Sequence, residues 1–498
     1  MKRLCIAAAV LLAAAGVLFA GGSKESAASA TGSGPLKITI WSNAGGASFP
    51  ANDNPVQLAI EKYTNTKLDI QWFQGGVFEN QILPPKFAAG DLPDLVGFGG
   101  SIHMSYMLSA FQQGLFWDVT DAIKATHNLS KLNPIIIRNA SINGRLYGVP
   151  RERPVVRRAF IYRRDWLAKL GLSEPKSVDD FYRVADALTN KDPNGDGKND
   201  TFGYYGYPPD DINLFGVIFG APNNWGVKNG QFVKEQETPE FLQALKFMHK
   251  MYVNKLMPSD YPIMDRSKAI EAFTNGKAGI IPFNSDGVTL VASPTKKINP
   301  QADVWGFSLL SGPNGTFAPG ERGFNGILAI PKKVSEQKMK GIITFIDKLD
   351  DPQMANLMQW GIEGKHYNVE NGKAVQISSA QADYNSSIFY PYNHVLEPML
   401  PYRNAMPGVV PPIVALDQQL QDEMLPHAVP DPTEPLYSPT QTKLGSDVDL
   451  ILQDAETKYV VGTINDAGWQ DAVNRWRSSG GDQIAKEFAD AYAKAGGK

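Results

Sequence analysis

Apolar positions in the first part of the chain switch regularly between a spacing of two, typical of strands, and a spacing of three or four, typical of helices. Segments 37–41, 68–73 and 94–98 predict strands, and the intervening segments 56–63 and 79–89, the latter interrupted by proline, predict helices. Strands that alternate with helices pair in parallel through right-handed crossovers. The pattern therefore predicts a βαβαβ unit, in which ligands bind beyond the carboxyl ends of the strands.

Each of these three strand ends carries an aromatic residue followed by polar residues or glycine. A sugar presents apolar C–H faces and a rim of hydroxyl groups, so aromatic rings and planar amides suit it. A single aromatic residue at a strand end more often closes a hydrophobic core, and the repetition at three ends favours a binding role. The candidate sugar contacts here are Trp41, Asn43, Phe73, Gln74 and Phe98.

The middle of the chain predicts a second α/β unit. Segment 159–162 reads as a strand, Asp165 is expected to cap the helical turn 166–170, and Gly171 is expected to end that turn in a left-handed conformation. Ser177 stands three residues before Asp180, which predicts a capped helix over about 178–188.

The remaining elements return the chain to the first unit and then end in helices. Thr238-Pro239 begins a predicted helix, 267–275 predicts another, and 278–283 predicts an apolar strand. Segment 326–331 predicts a short strand that we assign to the first domain. From about residue 440 the pattern is mostly helical, with Ser446 as the expected cap of the first helix.

The segment DPNGDGKND, residues 192–200, has the spacing of the first part of an EF-hand calcium loop. Hard cations need several oxygen ligands, and three carboxylates within nine residues repel one another without a cation. The twelfth position of the loop is Gly203 instead of a bidentate glutamate, and the alternative is a solvated turn. The predicted ligands of a structural Ca²⁺ within loop 192–203 are Asp192, Asn194, Asp196, the Lys198 carbonyl and Asp200.

The N-terminus predicts a secretory signal peptide at residues 1–20 and a Gly/Ser/Ala-rich flexible tether at 21–35. The alternative is an uncleaved membrane anchor, which the length of the apolar run only just allows. The one cysteine, Cys5, lies inside the leader, so the mature chain has no disulfide, and the expected cleavage point after Ala20 carries no cysteine for lipid attachment. A net charge of −3 does not suggest nucleic-acid binding.

Four segments in a fixed order resemble the large solute-binding proteins of bacterial ABC importers. They are FAAGDLPDLVGF at 87–98, YRRDWLAKLGL at 162–172, NGKAGIIPF at 275–283 and GIEGKHYNVENGK at 361–373. Together with the calcium loop they are most similar to the long subgroup that includes alginate-oligosaccharide-binding proteins. In that subgroup the loop commonly has an acid at its tenth position, where this chain has Thr201.

The resemblance implies a periplasmic-binding-protein-like fold of type II, an α/β architecture with two lobes and a hinged ligand cleft. Lobe 1 would comprise 36–150 plus about 320–400, and lobe 2 about 151–319 plus about 401–498. It also implies a periplasmic, monomeric protein that closes around an oligosaccharide and is read by the membrane subunits of an ABC permease. The chain itself lacks the GxxxxGK[ST] loop that holds nucleotide phosphates.

Further candidate contacts come from the crossing between the lobes and from loops. Arg151, Glu152 and Arg153 follow the first crossing and could hold hydroxyls or a carboxylate, with an interlobe salt-bridge cluster as an equal alternative. Asn284 and Asp286 end a strand and could face the cleft, although turn formation or capping is the more common role. The remaining candidates stand in loop-like contexts: Trp225, Trp305, Arg322, Phe324, Tyr367, Tyr390 and Tyr392.

Two rival functions use the same features. A secreted glycan hydrolase or lyase would need a placed acid and base, and the 51 acidic residues leave a catalytic pair open. However, no GxSxG or HExxH motif is present. A sensor component that presents its ligand to a receptor would share the fold and the site entirely. We expect a non-enzymatic binding protein.

Overall fold

A computed structural model describes residues 34–44, 49–100, 102–393 and 396–496. The predicted signal peptide, and the predicted tether except for Gly34 and Pro35, lie outside the described residues. The chain from Leu36 onward forms one contact unit. No helix of the described residues is long and apolar enough to cross a membrane.

The strands follow one another along the chain with short pairs among the longer ones. They are β1 Leu36–Ala44, β2 Thr66–Gln74, β3 Leu95–Phe98, β4 Val149–Glu152, β5 Arg158–Arg163, β6 Phe202–Tyr204, β7 Trp225–Lys228, β8 Gln231–Lys234, β9 Ala278–Asn284, β10 Val304–Phe307, β11 Ser311–Gly312, β12 Gly315–Thr316, β13 Ala318–Pro319, β14 Phe324–Ala329, β15 Tyr367–Glu370, β16 Lys373–Gln376, β17 Gly408–Val409 and β18 Ala428–Val429.

The helices cover the sheets and form most of the C-terminal part. They are α1 Pro55–Thr64, α2 Leu83–Ala89, α3 Ser105–Gln112, α4 Thr120–Lys124, α5 Pro134–Asn139, α6 Arg164–Lys169, α7 Val178–Asn190, α8 Asp210–Ile218, α9 Pro239–Val253, α10 Arg266–Thr274, α11 Val288–Ile298, α12 Glu336–Lys348, α13 Pro352–Trp360, α14 Gln381–Tyr384, α15 Pro412–Met424, α16 Pro439–Val460, α17 Asp466–Trp476 and α18 Asp482–Lys494.

The first sheet has five strands in the order β2-β1-β3-β14-β4. β1 pairs in parallel with both β2 and β3, which confirms the predicted parallel unit. β14 is antiparallel to β3 and to β4, so the return strand enters this sheet in the opposite direction. As a result the carboxyl ends of β1, β2 and β3 lie at the same edge as the start of β14 and the end of β4.

The second sheet has four strands in the order β10-β5-β9-β6. Side chains of β5 alternate between two cores, because successive strand residues point to opposite faces. Phe160 and Tyr162 pack with the C-terminal helices, and Ala159 and Ile161 pack with α10, α11 and α15. The second sheet is therefore covered on both faces.

Two backbone crossings join the sheets and are hydrogen-bonded to each other. Residues 153–157 lead from β4 to β5, and residues 319–323 lead back to β14. Arg153 N–H donates to the Gly323 carbonyl at 2.7 Å, Glu321 N–H donates to the Val155 carbonyl at 2.7 Å, and Val156 bridges Gly320. The predicted lobe boundaries remain a prediction, although the sheet memberships agree with them.

Local capping signals were partly correct. Ser177 accepts the Asp180 N–H at 3.1 Å, and Gly171 is left-handed with φ +67°, both as predicted. Asp165 lies in the first turn of α6 without capping it. Ser446 is not a cap either, because α16 begins at Pro439, where Ser438 accepts the Gln441 N–H at 3.0 Å.

Candidate functional site

Glu79 joins the three parallel strand ends of the first sheet. Its Oε1 accepts from Asn43 Nδ2 at 2.8 Å and from Gly99 N–H at 3.0 Å, and its Oε2 accepts from Gly76 N–H at 2.9 Å. Glu79 is buried, and nothing in the local sequence marks it as a site residue, because it stands only at the start of a predicted helix. Asn43 is thus held in place at this edge, while its Oδ1 is buried without a hydrogen-bond partner among the described residues.

The aromatic residues at these strand ends differ in accessibility. Trp41 and Phe73 are half-buried and touch edge to face with ring centroids 5.8 Å apart, and Phe73 stacks on Phe78 at 4.6 Å. Gln74 is exposed. Phe98 is fully buried against Phe87, so its predicted sugar contact is wrong for this structure: the ring closes the core of the first sheet.

Arg151, Glu152 and Arg153 lie where β4 reaches the same edge. Arg151 is buried, donates from Nη2 to the Phe98 carbonyl at 3.0 Å, and burial lowers its pKa to about 9. Glu152 is also buried and accepts from Leu400 N–H at 3.0 Å and from Arg403 Nη2 at 2.8 Å. The Glu152 carboxylate therefore forms a salt bridge with Arg403. For Glu152 this is the salt-bridge role that we considered as the alternative to a ligand contact.

Arg153 is half-buried, and its Nη1 donates to the Glu152 carbonyl at 2.6 Å. Burial lowers its pKa to about 10, followed by repulsion from Arg157, while Asp286 and Glu152 act in the opposite direction. A cavity of about 280 Å³ lies beside Arg153 and Glu152 and is also lined by Tyr402. Tyr402 is exposed and lines an adjoining cavity of about 850 Å³, so its ring is a candidate sugar contact. The predictions from the sequence did not include this residue.

The facing edge of the second sheet carries a network of arginines and acids. Arg157 lies 3.7 Å from both Asp286 and Glu321, and Arg158 lies 3.3 Å from Glu321 and 3.5 Å from Asp210. Asp286 follows β9 and Asp210 begins α8 shortly after β6, so both belong to strand ends. Asn284 is buried opposite Arg158 in the strand register and does not cap the following turn.

Arg322 lies on the second crossing, next to Glu321 in the chain. Its Nε is 3.8 Å from Glu434 Oε1, and burial raises the pKa of Glu434 to about 7. Burial, followed by repulsion from Arg322, lowers the pKa of His103 to about 4. Arg322 therefore remains a candidate ligand contact on the second crossing.

The structure places several predicted loop aromatics elsewhere. Trp305 pairs with Tyr162 on β5. Tyr162 is four residues after Arg158, which corresponds to roughly 13 Å along the strand. The Arg164 guanidinium group lies over the Trp305 ring, 4.2 Å from its centroid. Trp225 is buried against Trp476 and Phe488. These two predicted contacts are wrong for this structure, since one ring lies at the far end of the sheet and the other is in the core.

Three further predicted rings are also buried, while one is exposed. Phe324 and Tyr392 belong to the core of the first sheet, where the Tyr392 hydroxyl accepts from Asn54 Nδ2 at 2.7 Å. Tyr367 packs with Trp360 in a separate small cluster. Tyr390 is 39% exposed and remains a candidate sugar contact.

The predicted calcium loop contains the expected oxygen ligands, but they do not converge on one point. Asp192 accepts backbone N–H groups from Gly195 at 2.8 Å, Asp196 at 3.2 Å and Gly197 at 3.0 Å, and both glycines are left-handed, as this tight turn requires. Asp200 Oδ2 pairs with Lys277 at 2.5 Å, while its Oδ1 is buried and has no hydrogen-bond partner within the described part of the chain. Among the described residues, no three His, Cys, Asp or Glu side chains are positioned to hold a metal.

Two neighbours restrict this loop further. The Lys169 ammonium donates to the Asp192 and Pro193 carbonyls at 3.3 and 3.1 Å. A Cβ on Gly203 would lie 1.9 Å from the Ala185 carbonyl, so the twelfth position has no room for a glutamate. The donor types suit a hard cation, but coordination by Asp200 would require its release from Lys277.

The chain belongs to the bacterial extracellular solute-binding protein family, whose model matches residues 46–352. The polygalacturonan/rhamnogalacturonan-binding protein YtcQ of Bacillus subtilis (strain 168) is 33% identical over 502 residues, covering 98% of each chain. Lipoprotein LipO of the same organism is 30% identical over 461 residues, covering 89% of each chain. The family description and the name of YtcQ are those of binding proteins, which agrees at family level with a non-enzymatic role.

Solved structures support the same fold. An extracellular solute-binding protein from Bifidobacterium longum subsp. infantis superposes with a TM-score of 0.71 at 16% identity, covering 93% of this chain and 99% of that one. The alginate-binding protein AlgQ2, in a structure without calcium ion, gives a TM-score of 0.65 at 19% identity, with coverage of 93% and 98%. The protein therefore has the predicted type II solute-binding fold, and its family acts outside the cytoplasm.

Proposed function

We propose that this protein captures acidic oligosaccharides, of the galacturonate-containing class, and delivers them to the membrane subunits of an ABC importer. The observation that carries the proposal is the concentration of arginines on the two crossings between the sheets and at the adjoining ends of β4 and β5: Arg151, Arg153, Arg157, Arg158 and Arg322. A guanidinium group holds a carboxylate through two parallel hydrogen bonds, which a neutral hydroxyl does not match. The full-length relative named for binding polygalacturonan supports the same class of ligand.

The importer role follows from the family and from the two crossings. A relative from Streptococcus pneumoniae named as a fructooligosaccharide ABC transporter substrate-binding protein is 29% identical over 191 residues. Short crossings between two rigid sheets allow hinge closure around a ligand, because a few residues absorb the change in backbone angles. In this proposal the closed, monomeric protein is the form that the permease recognises.

The test is a binding panel with the chain from Gly21 to Lys498. Isothermal titration and thermal melting would compare a tetragalacturonate, the same sugar fully methyl-esterified, and a neutral fructooligosaccharide. Ligand at a hundred times its dissociation constant stabilises by about 2.7 kcal/mol, a shift of a few degrees. We expect the shift with the acid alone. Equal binding of the acid and its ester, or binding of the fructooligosaccharide only, would contradict the acidic class.

We further propose that the exported protein is cleaved after Ala20 and released without a lipid anchor, unlike a lipoprotein. Lipid attachment uses a cysteine thiol at the cleavage point, and Cys5 lies near the start of the apolar run. Intact mass of the exported protein would equal that of the chain from Gly21. A mass increase matching a diacylglyceryl group on a cysteine would overturn this proposal.

We also propose that loop 192–203 binds Ca²⁺ by exchanging the ion pair between Asp200 and Lys277 for the metal. The Oδ1 atom of Asp200, which is buried and has no hydrogen-bond partner among the residues that the structure describes, supports this proposal. Added Ca²⁺ should raise the melting temperature of the wild type, and Asp196→Asn should remove that response. Asp454→Asn, on an exposed helix face, is the matched control. Identical melting of the wild type in Ca²⁺ and in a chelator would contradict this proposal. Lys169 and Lys277, not Ca²⁺, would then stabilise the loop.

A further inference from the structure

Most arginines in the ion pairs of the described residues hold an acid at short range. Arg145, Arg164 and Arg403, for example, hold their partners at 2.7 to 2.8 Å, the range of charge-assisted hydrogen bonds. Among the ion pairs of the described residues, the arginine contacts longer than 3.0 Å belong to Arg157, Arg158 and Arg322, at 3.3 to 3.8 Å. All three lie on or directly beside the two crossings between the sheets.

Arg157 and Arg158 share one acceptor. The Nε atoms of both residues point at the same oxygen, Glu321 Oε1, at 3.7 and 3.3 Å. Their Nη1 atoms reach Asp286 at 3.7 Å and Asp210 at 3.5 Å. Each guanidinium group has five N–H donors, so the two groups have more donors than these distant oxygens satisfy.

The position of the pair makes it accessible to a ligand. About a third of each arginine side chain is exposed. Asp286 follows β9 and Asp210 lies just after β6, so the pair sits at the edge of the second sheet that continues into the crossings. A structural ion pair at a partly buried position gains most from short, aligned hydrogen bonds, whereas no acid of the described residues lies closer than 3.3 Å to either arginine.

We propose that Arg157 and Arg158 form the subsite for a sugar carboxylate, with Glu321 as the internal acid that occupies their donors until ligand arrives. The ligand carboxylate takes bidentate hydrogen bonds from the guanidinium groups, and both groups turn away from Glu321. This inference rests on the proposed acidic ligand and identifies the residues that select it. Because Glu321 competes for the donors, it lowers the affinity of this subsite for any anion. Only a ligand that is also held elsewhere in the cleft therefore binds to the subsite.

Two substitutions test the subsite against a matched control. Arg158→Gln removes one guanidinium group, and we expect affinity for tetragalacturonate to fall about 10- to 100-fold, the scale of a hydrogen bond to a charged group. Affinity for the methyl ester should change less than about threefold. Arg164→Gln, at the other end of the same strand and held at 2.7 Å by Asp303, should leave both affinities unchanged.

Glu321→Gln distinguishes a subsite from a structural network. Removing the competing acid should raise affinity for the tetragalacturonate several-fold and leave the ester unaffected. Equal loss of affinity for both ligands would mean that the network only stabilises the crossings, and it would overturn the inference. If Arg158→Gln does not fold, Arg158→Lys retains the charge without the planar fork and should still bind the acid less tightly.

The outcomes separate this inference from the proposed function. A wild type that does not distinguish the acid from its ester contradicts the acidic ligand class itself. A wild type that prefers the acid, with the same preference in Arg157→Gln and Arg158→Gln, contradicts only the subsite. The carboxylate would then be bound by other residues of the joined edges.

Discussion

At the scale of single residues, burial decides which aromatic side chains are available to a ligand. Trp225 is 2% exposed and is surrounded by Phe232, Trp476 and Phe488, with Lys234 over its ring at 5.2 Å. We predict that Trp225→Ala lowers the free energy of unfolding by about 3–5 kcal/mol, because it removes a large ring from a packed core. Chemical denaturation would measure this loss.

Tyr390 is the matched control for this change, since its ring is 39% exposed. Tyr390→Ala should alter the free energy of unfolding by no more than about 0.5 kcal/mol, as is usual for surface positions. If instead Trp225→Ala weakens sugar binding without loss of stability, its ring must leave the core when ligand binds.

At the scale of elements, two buried carboxyl groups connect the end of α12 to the segment after residue 396. Asp350 and Glu397 are both 1% exposed and adjoin each other. Burial raises the pKa of both groups, and the neighbouring Asp350 raises that of Glu397 further. The groups are therefore protonated in the folded state at pH values where the unfolded chain is ionised.

This difference gives a defined dependence of stability on pH. Between about pH 4 and their raised folded-state pKa values, these two groups bind more protons in the folded protein than in the unfolded chain. Their contribution to the free energy of unfolding therefore falls as pH rises through the folded-state pKa values. Asp350→Asn should flatten this fall and raise the melting temperature at pH 8 to 9, with little change at pH 4. Melting curves across that range would show it, with exposed Asp454→Asn as the control; a slope like that of the wild type would contradict the assignment.

The elements also show what the sequence could and could not predict. The parallel unit, the Ser177 cap and the left-handed Gly171 depend on local spacing and chemistry, and these predictions were correct. The site depends on contacts distant in sequence. Trp225 stands in a loop-like context, yet its hairpin packs on a helix about 250 residues later.

The same limit applies to charged residues and to register. Arg157 and Arg158 belong to the basic run RERPVVRR, but their shared partner Glu321 is brought to them only by the second crossing. The loop-like context of Trp305 predicts a ligand contact, whereas the antiparallel register places this residue at the opposite end of β5. The aromatic and polar residues at the predicted strand ends indicate a sugar as the ligand, whereas the fold determines which residues reach it.

At the scale of the whole molecule, the joined edges imply that ligand binding moves the two sheets together. Cys5 is the chain's one cysteine, so the chain from Gly21 accepts labels only at introduced cysteines. Leu58 on α1 and Leu290 on α11 are exposed and stand beside the first and second sheets. We predict that energy transfer between dyes on Leu58→Cys and Leu290→Cys rises when tetragalacturonate binds.

A pair within one part of the molecule separates closure from a direct effect on the dyes. Val253 and Leu450 are both exposed, and their helices α9 and α16 contact each other, so transfer between cysteines at these positions should not change. The methyl ester should leave both pairs unchanged, because it lacks the carboxylate that Arg157 and Arg158 would bind. If the acid shifts the melting temperature while transfer between residues 58 and 290 stays constant, the ligand binds to one sheet edge without closure, and a permease could not distinguish the loaded protein by its shape.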